Sequence, residues 1–249
     1  ILKVIKGNGK LWFGRSTQLA IDFLQLSKKY YEYVLFINND TFLLKGSLEK
    51  MINASNNINV VSSTYYQEDI DKIGSSGFEW IKFQGLKGFC HTKNWIKMKN
   101  KNTFTRVYSA STTVTLFPSK FLCKSNKINL NKHPHHRYDI MLSNICRLEG
   151  AKFITSTNIL ATHINHDIKS KYLQWYKKGL RNFVSESYLE PLSANYLPGL
   201  IEVNFITAPT RLESFIVCFK ILGKSFIKLF LLIILRSFFY FLKPIKKIR

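Results

Sequence analysis

Acidic residues are scarce in this chain. Its 249 residues include 15 Asp and Glu against 37 Lys and Arg, which gives a formal net charge of +22. Such an excess favours an anionic partner, which could be nucleic acid, an acidic membrane surface or a phosphate-bearing small molecule. The charge does not choose among these partners. The 46% of apolar and 14% of aromatic residues exclude a disordered chain and predict a sizeable core.

Cysteine is also scarce, and its spacing carries no metal or disulfide signature. The four cysteines (Cys90, Cys123, Cys146 and Cys218) form no CxxC and no Cys/His pair at zinc spacing. They are therefore interpreted as reduced packing residues of a cytosolic protein. We also expect no secretory signal, because Ile1–Ile5 is typical of a strand already under way. We expect the chain to begin inside a domain.

No apolar run is long enough to cross a bilayer. In the apolar stretch from Ser214 to Leu242, the longest charge-free run, Leu229–Leu235, has only seven residues, whereas a spanning helix needs roughly 20. At about 100° per residue, the charges in this stretch form a basic stripe opposite a wide Phe/Leu/Ile face. The pattern predicts a helix on an anionic membrane surface, contacting it through residues 214–249. A core helix or a dimer-forming helix is the alternative.

The rest of the chain alternates between helical and β-prone patterns. Apolar residues at helical spacing over residues 17–30 precede the short apolar run Tyr33–Ile37, and a helix over Gly46–Ser55 precedes a strand over Asn57–Ser62. This alternation predicts an α/β sheet covered on both faces. Further elements are expected at Tyr138–Gly150 (helix), Lys152–Thr155 (strand) and Ser170–Glu190 (helix). Residues 65–108 show no clear period and are expected to form a long irregular excursion with one or two short strands.

Three polar residues, Asn38, Asn39 and Asp40, end the apolar run at Ile37. Ligands of α/β sheets bind beyond the carboxyl ends of strands, which is where these residues stand. Asp40 could cap a helix, form a turn or bind a hard cation. Mg²⁺ and Mn²⁺ sites that serve nucleotide phosphates need only one or two protein carboxylates, so a single aspartate is sufficient.

Three stretches, taken together, resemble the GT-A nucleotide-sugar glycosyltransferases of family 2, particularly the rhamnosyltransferase-like bacterial members. Glu32–Thr41 (EYVLFINNDT) resembles the family strand D-Y-V-L-L-L-N-D-D-T. Asn8–Ile21 (NGKLWFGRSTQLAI) resembles N-G-x-L-W-W-x-G-A-x-N-x-G-I. Asp139 and Gly150 match the aspartate and the glycine of E-D-x-D/E-L-x-x-R-x-x-x-x-G. The order and separation of the three stretches also match.

The resemblance implies a fold, a division of the chain and a reaction. The fold is a GT-A mixed sheet with flanking helices, truncated at its N-terminus, over residues 1–190, followed by amphipathic C-terminal helices on a membrane surface over residues 191–249. The reaction is an inverting transfer from a nucleotide-diphosphate sugar to a hydroxyl of a glycan or lipid-linked acceptor, in surface polysaccharide biosynthesis. The cofactor is Mg²⁺ or Mn²⁺. The expected location is the cytoplasmic, inner face of the cell membrane, with no nucleic-acid partner.

The resemblance also implies roles for single residues. Asp139 is the expected general base, and Asp40 is the expected metal ligand, assisted by His163 after the last expected strand. The expected donor and diphosphate contacts are Asn38, Asn39, Trp12 and Gln18, and the expected acceptor-side residues are His135 and His136. His133, His135 and His136 could instead form a zinc cluster, although their spacing does not favour one.

Two other functions remain open at this stage. Asn38, Tyr138 and Met141 stand where the family pattern has acidic residues, which is compatible with an inactive glycosyltransferase-like membrane scaffold. The net charge and the aromatic content are compatible with a basic nucleic-acid-binding protein. Against the second alternative, the Lys and Arg residues are scattered and no nucleic-acid motif is present.

Overall fold

The computed structural model describes residues 5, 12–27, 31–68, 71–99, 101–123, 125–135, 137–164, 182, 184–191, 193 and 196–241. Several expectations fall outside these residues. They are the strand at Ile1–Ile5 apart from its last residue, the first four residues of the Asn8–Ile21 stretch, His136, and most of the helix at Ser170–Glu190.

The described part of the chain forms a mixed α/β fold with two sheets and flanking helices. The strands are β1 (Tyr33–Ile37), β2 (Thr41–Leu43), β3 (Asn59–Gln67), β4 (Lys72–Ser75), β5 (Gly77–Ile81), β6 (Gly85–Gly88), β7 (Phe104–Arg106), β8 (Ser109–Ala110), β9 (Val114–Pro118) and β10 (Lys152–His163). The helices are α1 (Trp12–Leu26), α2 (Ser47–Ser55), α3 (Lys93–Met98), α4 (Tyr138–Leu148), α5 (Leu197–Thr207) and α6 (Arg211–Phe241).

The main sheet has seven strands, with the order β1-β9-β3-β10-β2 and with β4 and β7 paired to β3 and β10. β3 and β10 are parallel, whereas β9 is antiparallel to both β1 and β3. β1, β3 and β10 therefore run in the same direction, and their carboxyl ends point to one edge of the sheet. A smaller sheet, β6-β5-β8, lies beside it.

Helices cover both faces of the main sheet, as the alternation of patterns predicts. One core cluster contains Val60 and Phe117 from the sheet with Ile21 of α1 and Leu142 of α4. The other contains the next residue of β3, Val61, with Met51 of α2. Successive residues of a strand point to opposite faces, so neighbouring valines of β3 enter different cores.

Several element boundaries differ from the prediction. β1 has the predicted bounds, and α4 is followed by Gly150 in a left-handed conformation (φ +92°), the geometry that favours glycine after a helix. β10 continues to His163 instead of ending near Thr155. Residues 65–108, predicted as an irregular excursion with one or two short strands, contain four short strands, β4 to β7, and the helix α3. Of these strands, β4 and β6 pair with the neighbouring strands β3 and β5, whereas β7 pairs with the distant β10.

The C-terminal helices begin on the body of the protein. On α5, Gly199, Val203 and Thr207 are buried. At the start of α6, the Trp80 Nε1–H donates a hydrogen bond to Glu213 Oε2 at 2.6 Å, and Lys220 Nζ donates to the Phe83 carbonyl at 3.1 Å. Further along α6, large apolar side chains are exposed, including Phe226 and Phe230. None of the described helices combines the length and hydropathy required to cross a membrane.

Candidate functional site

Asp40 and His163 meet at the carboxyl edge of the main sheet. The chain turns after β1, where the Thr41 N–H donates to the Asn38 carbonyl at 3.1 Å. It then re-enters the sheet as β2, whose Thr41 pairs with His163 at the end of β10. The Ile164 N–H donates to the Asp40 carbonyl at 2.9 Å. Backbone pairing on both sides thus places His163 Nδ1 3.3 Å from Asp40 Oδ1.

Two further side chains, those of Thr41 and Tyr65, contact His163, and neither was identified from the sequence. Thr41 is buried, and its Oγ1 lies 2.9 Å from His163 Nδ1, which fixes the imidazole. The ring of Tyr65 lies edge-on to the imidazole, with 5.4 Å between the ring centroids. Burial, with smaller contributions from Cys90 and Asp40, raises the pKa of the Tyr65 phenol to about 12, so the phenol stays neutral. The feature that could have identified Tyr65 as a site residue is its position near the carboxyl end of a strand that is parallel to β10.

The pair places one carboxylate and one imidazole, both possible ligands of a divalent cation, next to each other. Among the residues that the structure describes, no group of three or more His, Cys, Asp or Glu side chains could hold a metal ion. The single carboxylate of Asp40 is sufficient for a cation whose other ligands are mainly phosphate oxygens and water, as in Mg²⁺ sites that bind nucleotides. The His163 imidazole, in contrast, is a ligand more typical of transition metals. The two side chains do not fit a structural zinc site, which uses four protein ligands.

Asn38 and Asn39 occupy the turn that carries Asp40. The Asn38 N–H donates to the Thr113 carbonyl at 3.0 Å, which ties the turn to the segment before β9. The Asn38 side chain is half-buried, and that of Asn39 is exposed. Both amide side chains therefore belong to the same sheet edge as the carboxylate, and each can donate hydrogen bonds to an anion.

Asp139 is the second residue of α4, and Arg137, which precedes the helix, adopts a left-handed conformation (φ 67°). The Ile140 N–H donates to Asp139 Oδ1 at 2.9 Å. Burial raises the pKa of the Asp139 carboxyl to about 6, against the opposing effects of nearby backbone N–H groups and the Arg137 charge. A carboxyl with this pKa is ionised at neutral pH and is a stronger base than an exposed aspartate.

One segment, residues 109–114, contacts both parts of the candidate site. Its Thr113 carbonyl accepts the hydrogen bond from Asn38 in the Asp40 turn. Its Ala110 exchanges two hydrogen bonds with the Ser143 hydroxyl, one turn along α4 from Asp139, at 3.1 and 2.8 Å. The Asp40 turn and α4 are therefore attached to the same short piece of chain.

Gln18 is part of a buried hydrogen-bond network. Its Oε1 accepts from the Tyr138 hydroxyl at 2.8 Å, and its Nε2 donates to Asp22 Oδ1 at 2.7 Å and to the Ser125 hydroxyl at 2.9 Å. The residue is only 5% exposed. Both amide atoms are thus engaged within the protein, where they join α1 to the start of α4. Its expected contact with a donor remains a prediction.

Trp12 and His135 lie together at the start of α1. The Trp12 ring is 52% exposed, and its centroid is 6.1 Å from that of His135. The loop carrying His135 is attached to α1, because the Gly14 N–H donates to the Pro134 carbonyl at 2.9 Å. A Cβ atom at Gly14 would approach the His133 carbonyl oxygen to 2.7 Å, so this contact requires glycine.

His133 belongs to a different environment from His135. It is fully buried, and its Nε2 lies 3.4 Å from Glu202 Oε2 on α5. Burial lowers the pKa of the His133 imidazole, while Glu202 acts in the opposite direction. The zinc alternative for His133 and His135 gains no support among the described residues.

The structure thus brings the predicted residues together in two groups. Asp40, His163, Asn38 and Asn39 share the sheet edge, whereas Trp12 and His135 share the start of α1. Asp139 is linked to the first group through residues 109–114 and to α1 through Tyr138 and Gln18. No protein-family model and no curated protein matches this chain. The site is therefore interpreted from its own residues.

Proposed function

We propose that the chain is an inverting glycosyltransferase of the GT-A type, which transfers a sugar from a nucleotide-diphosphate sugar to a hydroxyl group. The observation that supports this proposal is the 3.3 Å contact between Asp40 and His163, two residues far apart in sequence, beyond the carboxyl ends of β1 and β10. This is where sheets of this class bind their ligands. The resemblance of Glu32–Thr41 to the family strand implies the same site.

Asp40 and His163 would hold a Mg²⁺ or Mn²⁺ ion together with the diphosphate of the donor. When bound, such an ion neutralises negative charge on a leaving nucleoside diphosphate. The amide groups of Asn38 and Asn39 donate hydrogen bonds to phosphate or sugar oxygens without adding a negative charge. The aromatic ring of Tyr65 and the Thr41 hydroxyl hold His163 in position.

Asp139 would accept the proton of the acceptor hydroxyl as that oxygen attacks the anomeric carbon. In this step the new C–O bond forms while the bond between the anomeric carbon and the diphosphate breaks. A general base must lie within hydrogen-bond reach of the proton that it removes. The buried start of α4 keeps the carboxyl basic, and Trp12 and His135 would contact the donor and the acceptor sugars.

The acceptor proposed here is a glycan or a lipid-linked saccharide at the inner face of the cell membrane, in surface polysaccharide biosynthesis. The support is the exposed apolar stripe of α6, formed by Leu212, Phe215, Phe219, Phe226 and Phe230 and flanked by exposed Lys220 and Lys224. An apolar stripe beside lysines suits an anionic lipid surface. Flotation with phosphatidylglycerol vesicles is expected to decrease for Phe215→Glu/Phe219→Glu. Unchanged flotation would remove α6 from the membrane contact.

The reaction is tested with the purified chain, a panel of UDP- and dTDP-sugars, and Mn²⁺ or Mg²⁺, by measuring the release of nucleoside diphosphate. Asp40→Ala is expected to lower the metal-dependent rate by about 100-fold, since the cation would lose its only carboxylate among the proposed ligands. Glu49→Gln, which removes an exposed carboxylate from α2, is the control and should leave the rate unchanged. Equal rates in wild type and Asp40→Ala would reject the metal site.

A further inference from the structure

A cavity of about 570 Å³ lies at the outer edge of β10, between this strand, α2 and the segment that leads into β7. Its lining includes Lys50 and Asn53 of α2, Asn102 and Phe104, and Asn158 of β10. None of the residues described above for transfer lines it. Its volume is within the range of roughly 300–1,000 Å³ that is typical of small-molecule pockets.

The pairing of β10 explains why a cavity forms here. β7 pairs with β10 at residues 154–156, and β2 pairs with it at residues 161–163. Between these two partners the register of β10 shifts, once between Thr155 and Ile159 and again between Ile159 and Ala161. Such bulges redirect side chains and are frequent beside binding sites. Asn158, which lines the cavity, is on the stretch of β10 between these two partners.

The polar groups that β10 and Asn102 contribute to the cavity are held in place by hydrogen bonds. The Asn158 side-chain amide donates a hydrogen bond to Asn102 Oδ1, and the Asn158 N–H donates to the Ser156 hydroxyl at 3.1 Å. Asn102 adopts a left-handed conformation (φ 48°), which is sparsely populated outside glycine. Fixed side chains are the usual property of a site that selects a ligand by geometry.

The chemistry of the lining points to one class of ligand. Three amide side chains can each donate and accept hydrogen bonds, as the hydroxyl groups of a sugar do. Phe104 and Leu160 provide an apolar surface for the C–H face of a pyranose ring. Among the described lining residues none is acidic, and Lys50 provides one positive charge. This combination suits a saccharide, and an acidic one in particular.

We propose that this cavity, the β10-edge cavity, binds a saccharide unit that carries a carboxylate, separately from the transfer site. The proposal rests on the proposed function in one respect, since it makes the saccharide a part of the acceptor glycan. Along β10, the cavity residues Ser156, Asn158 and Leu160 precede residues 161–163, which pair with β2 next to Asp40, so the cavity and the transfer site share one strand.

The test is a titration of the full-length, isotope-labelled protein with methyl β-D-glucuronide and, separately, methyl β-D-glucoside. Side-chain amide signals of Asn53, Asn102 and Asn158 are followed by NMR. Both sugars are expected to shift these signals, and the glucuronide is expected to bind about threefold more tightly because of the exposed Lys50 charge. Absence of shifts at these three amides with either sugar would overturn the proposal.

Two lysine variants separate the cavity from general surface charge. Lys50→Ala is expected to remove the preference for the glucuronide, whereas Lys45→Ala, an exposed lysine that does not line the cavity, should keep it. Asn53→Ala, at an exposed helix position, is expected to weaken the binding of both sugars. Loss of the preference in both lysine variants would show non-specific attraction and reject the site.

The outcome of these sugar-binding experiments does not depend on the transfer reaction. Binding at the β10-edge cavity without any sugar transfer would contradict the proposed function and keep the saccharide site. Sugar transfer without binding at the β10-edge cavity would support the proposed function and reject the saccharide site.

Discussion

The two parts of the candidate site are held in different ways. Asp40 and His163 are positioned by strand pairing, because β2 and β10 bring their backbones into register, with His163 buried and the Asp40 side chain partly accessible. Asp139 is positioned at a helix start in buried surroundings, and burial changes its proton affinity. The geometry of the Asp40–His163 part therefore depends mainly on strand pairing, whereas the proton affinity of Asp139 depends mainly on its burial. The comparison predicts that substitutions in the two parts differ in their dependence on pH and on metal.

Replacement of the proposed base is expected to have the largest effect. Asp139→Asn keeps the size of the side chain and removes its ability to accept a proton, so kcat should fall by about 10²–10⁴-fold at saturating metal. The metal concentration for half-maximal rate should stay the same, which distinguishes this variant from Asp40→Ala. Measurement of the rate of sugar transfer against Mn²⁺ concentration checks both. Wild-type turnover in Asp139→Asn would remove Asp139 as the base.

The pH dependence of stability should also come from the Asp139 part. The pKa of this carboxyl in the folded protein is about 6, above its ordinary value of 3.8. Its ionisation therefore destabilises the folded state, and stability is lost as pH rises from about 4 through 6. Asp139→Asn should be more stable than wild type at pH 8, by up to about 3 kcal/mol, and similar to it at pH 4.

Urea unfolding of both proteins at pH 4, 6 and 8 measures this difference. A difference in unfolding free energy that is constant over the three pH values would contradict the raised pKa. In the active protein, the same pKa requires kcat/KM to decrease by about tenfold per pH unit below about pH 6.

The smallest effect on turnover is expected at Gln18, which joins α1 to α4. Gln18→Leu leaves the buried Tyr138 hydroxyl without its acceptor, so the free energy of unfolding should fall by about 1–3 kcal/mol. The KM for the donor should be unchanged if the role of Gln18 is to position α4. Gln25→Leu is the matched control, because it removes one hydrogen bond from an exposed position of the same helix. A raised donor KM only in Gln18→Leu would restore Gln18 as a donor contact.

The sequence predicted the elements that have strong local patterns. The bounds of β1, the start of α4 and the coverage of both sheet faces follow from apolar periodicity and from Gly150. The pairing of Asp40 with His163 was expected only through the resemblance to a family. This pairing requires β2 and the C-terminal part of β10, for which the sequence shows no local strand pattern.

Other features could not be read from local patterns, because the elements are short or depend on distant partners. The strands β4 to β6 are only four or five residues long, and they pair with β3, β8 and one another. Gln18 resembles a site residue by its place in a motif, yet the packing of α1 against α4 encloses its amide. Tyr65 becomes part of the site only when β3 and β10 pair in parallel.

The central position of β10 has a consequence for how the protein is made. This 12-residue strand contacts β2, β3 and β7, all of which are synthesised much earlier. During synthesis, the edges of those strands that pair with β10 keep unpaired backbone groups until residues 152–163 leave the ribosome. Parallel pairing between distant segments is slow to form and exposes aggregation-prone edges in the meantime. The yield of soluble protein in the cell should therefore depend on the rate at which the ribosome passes this single strand.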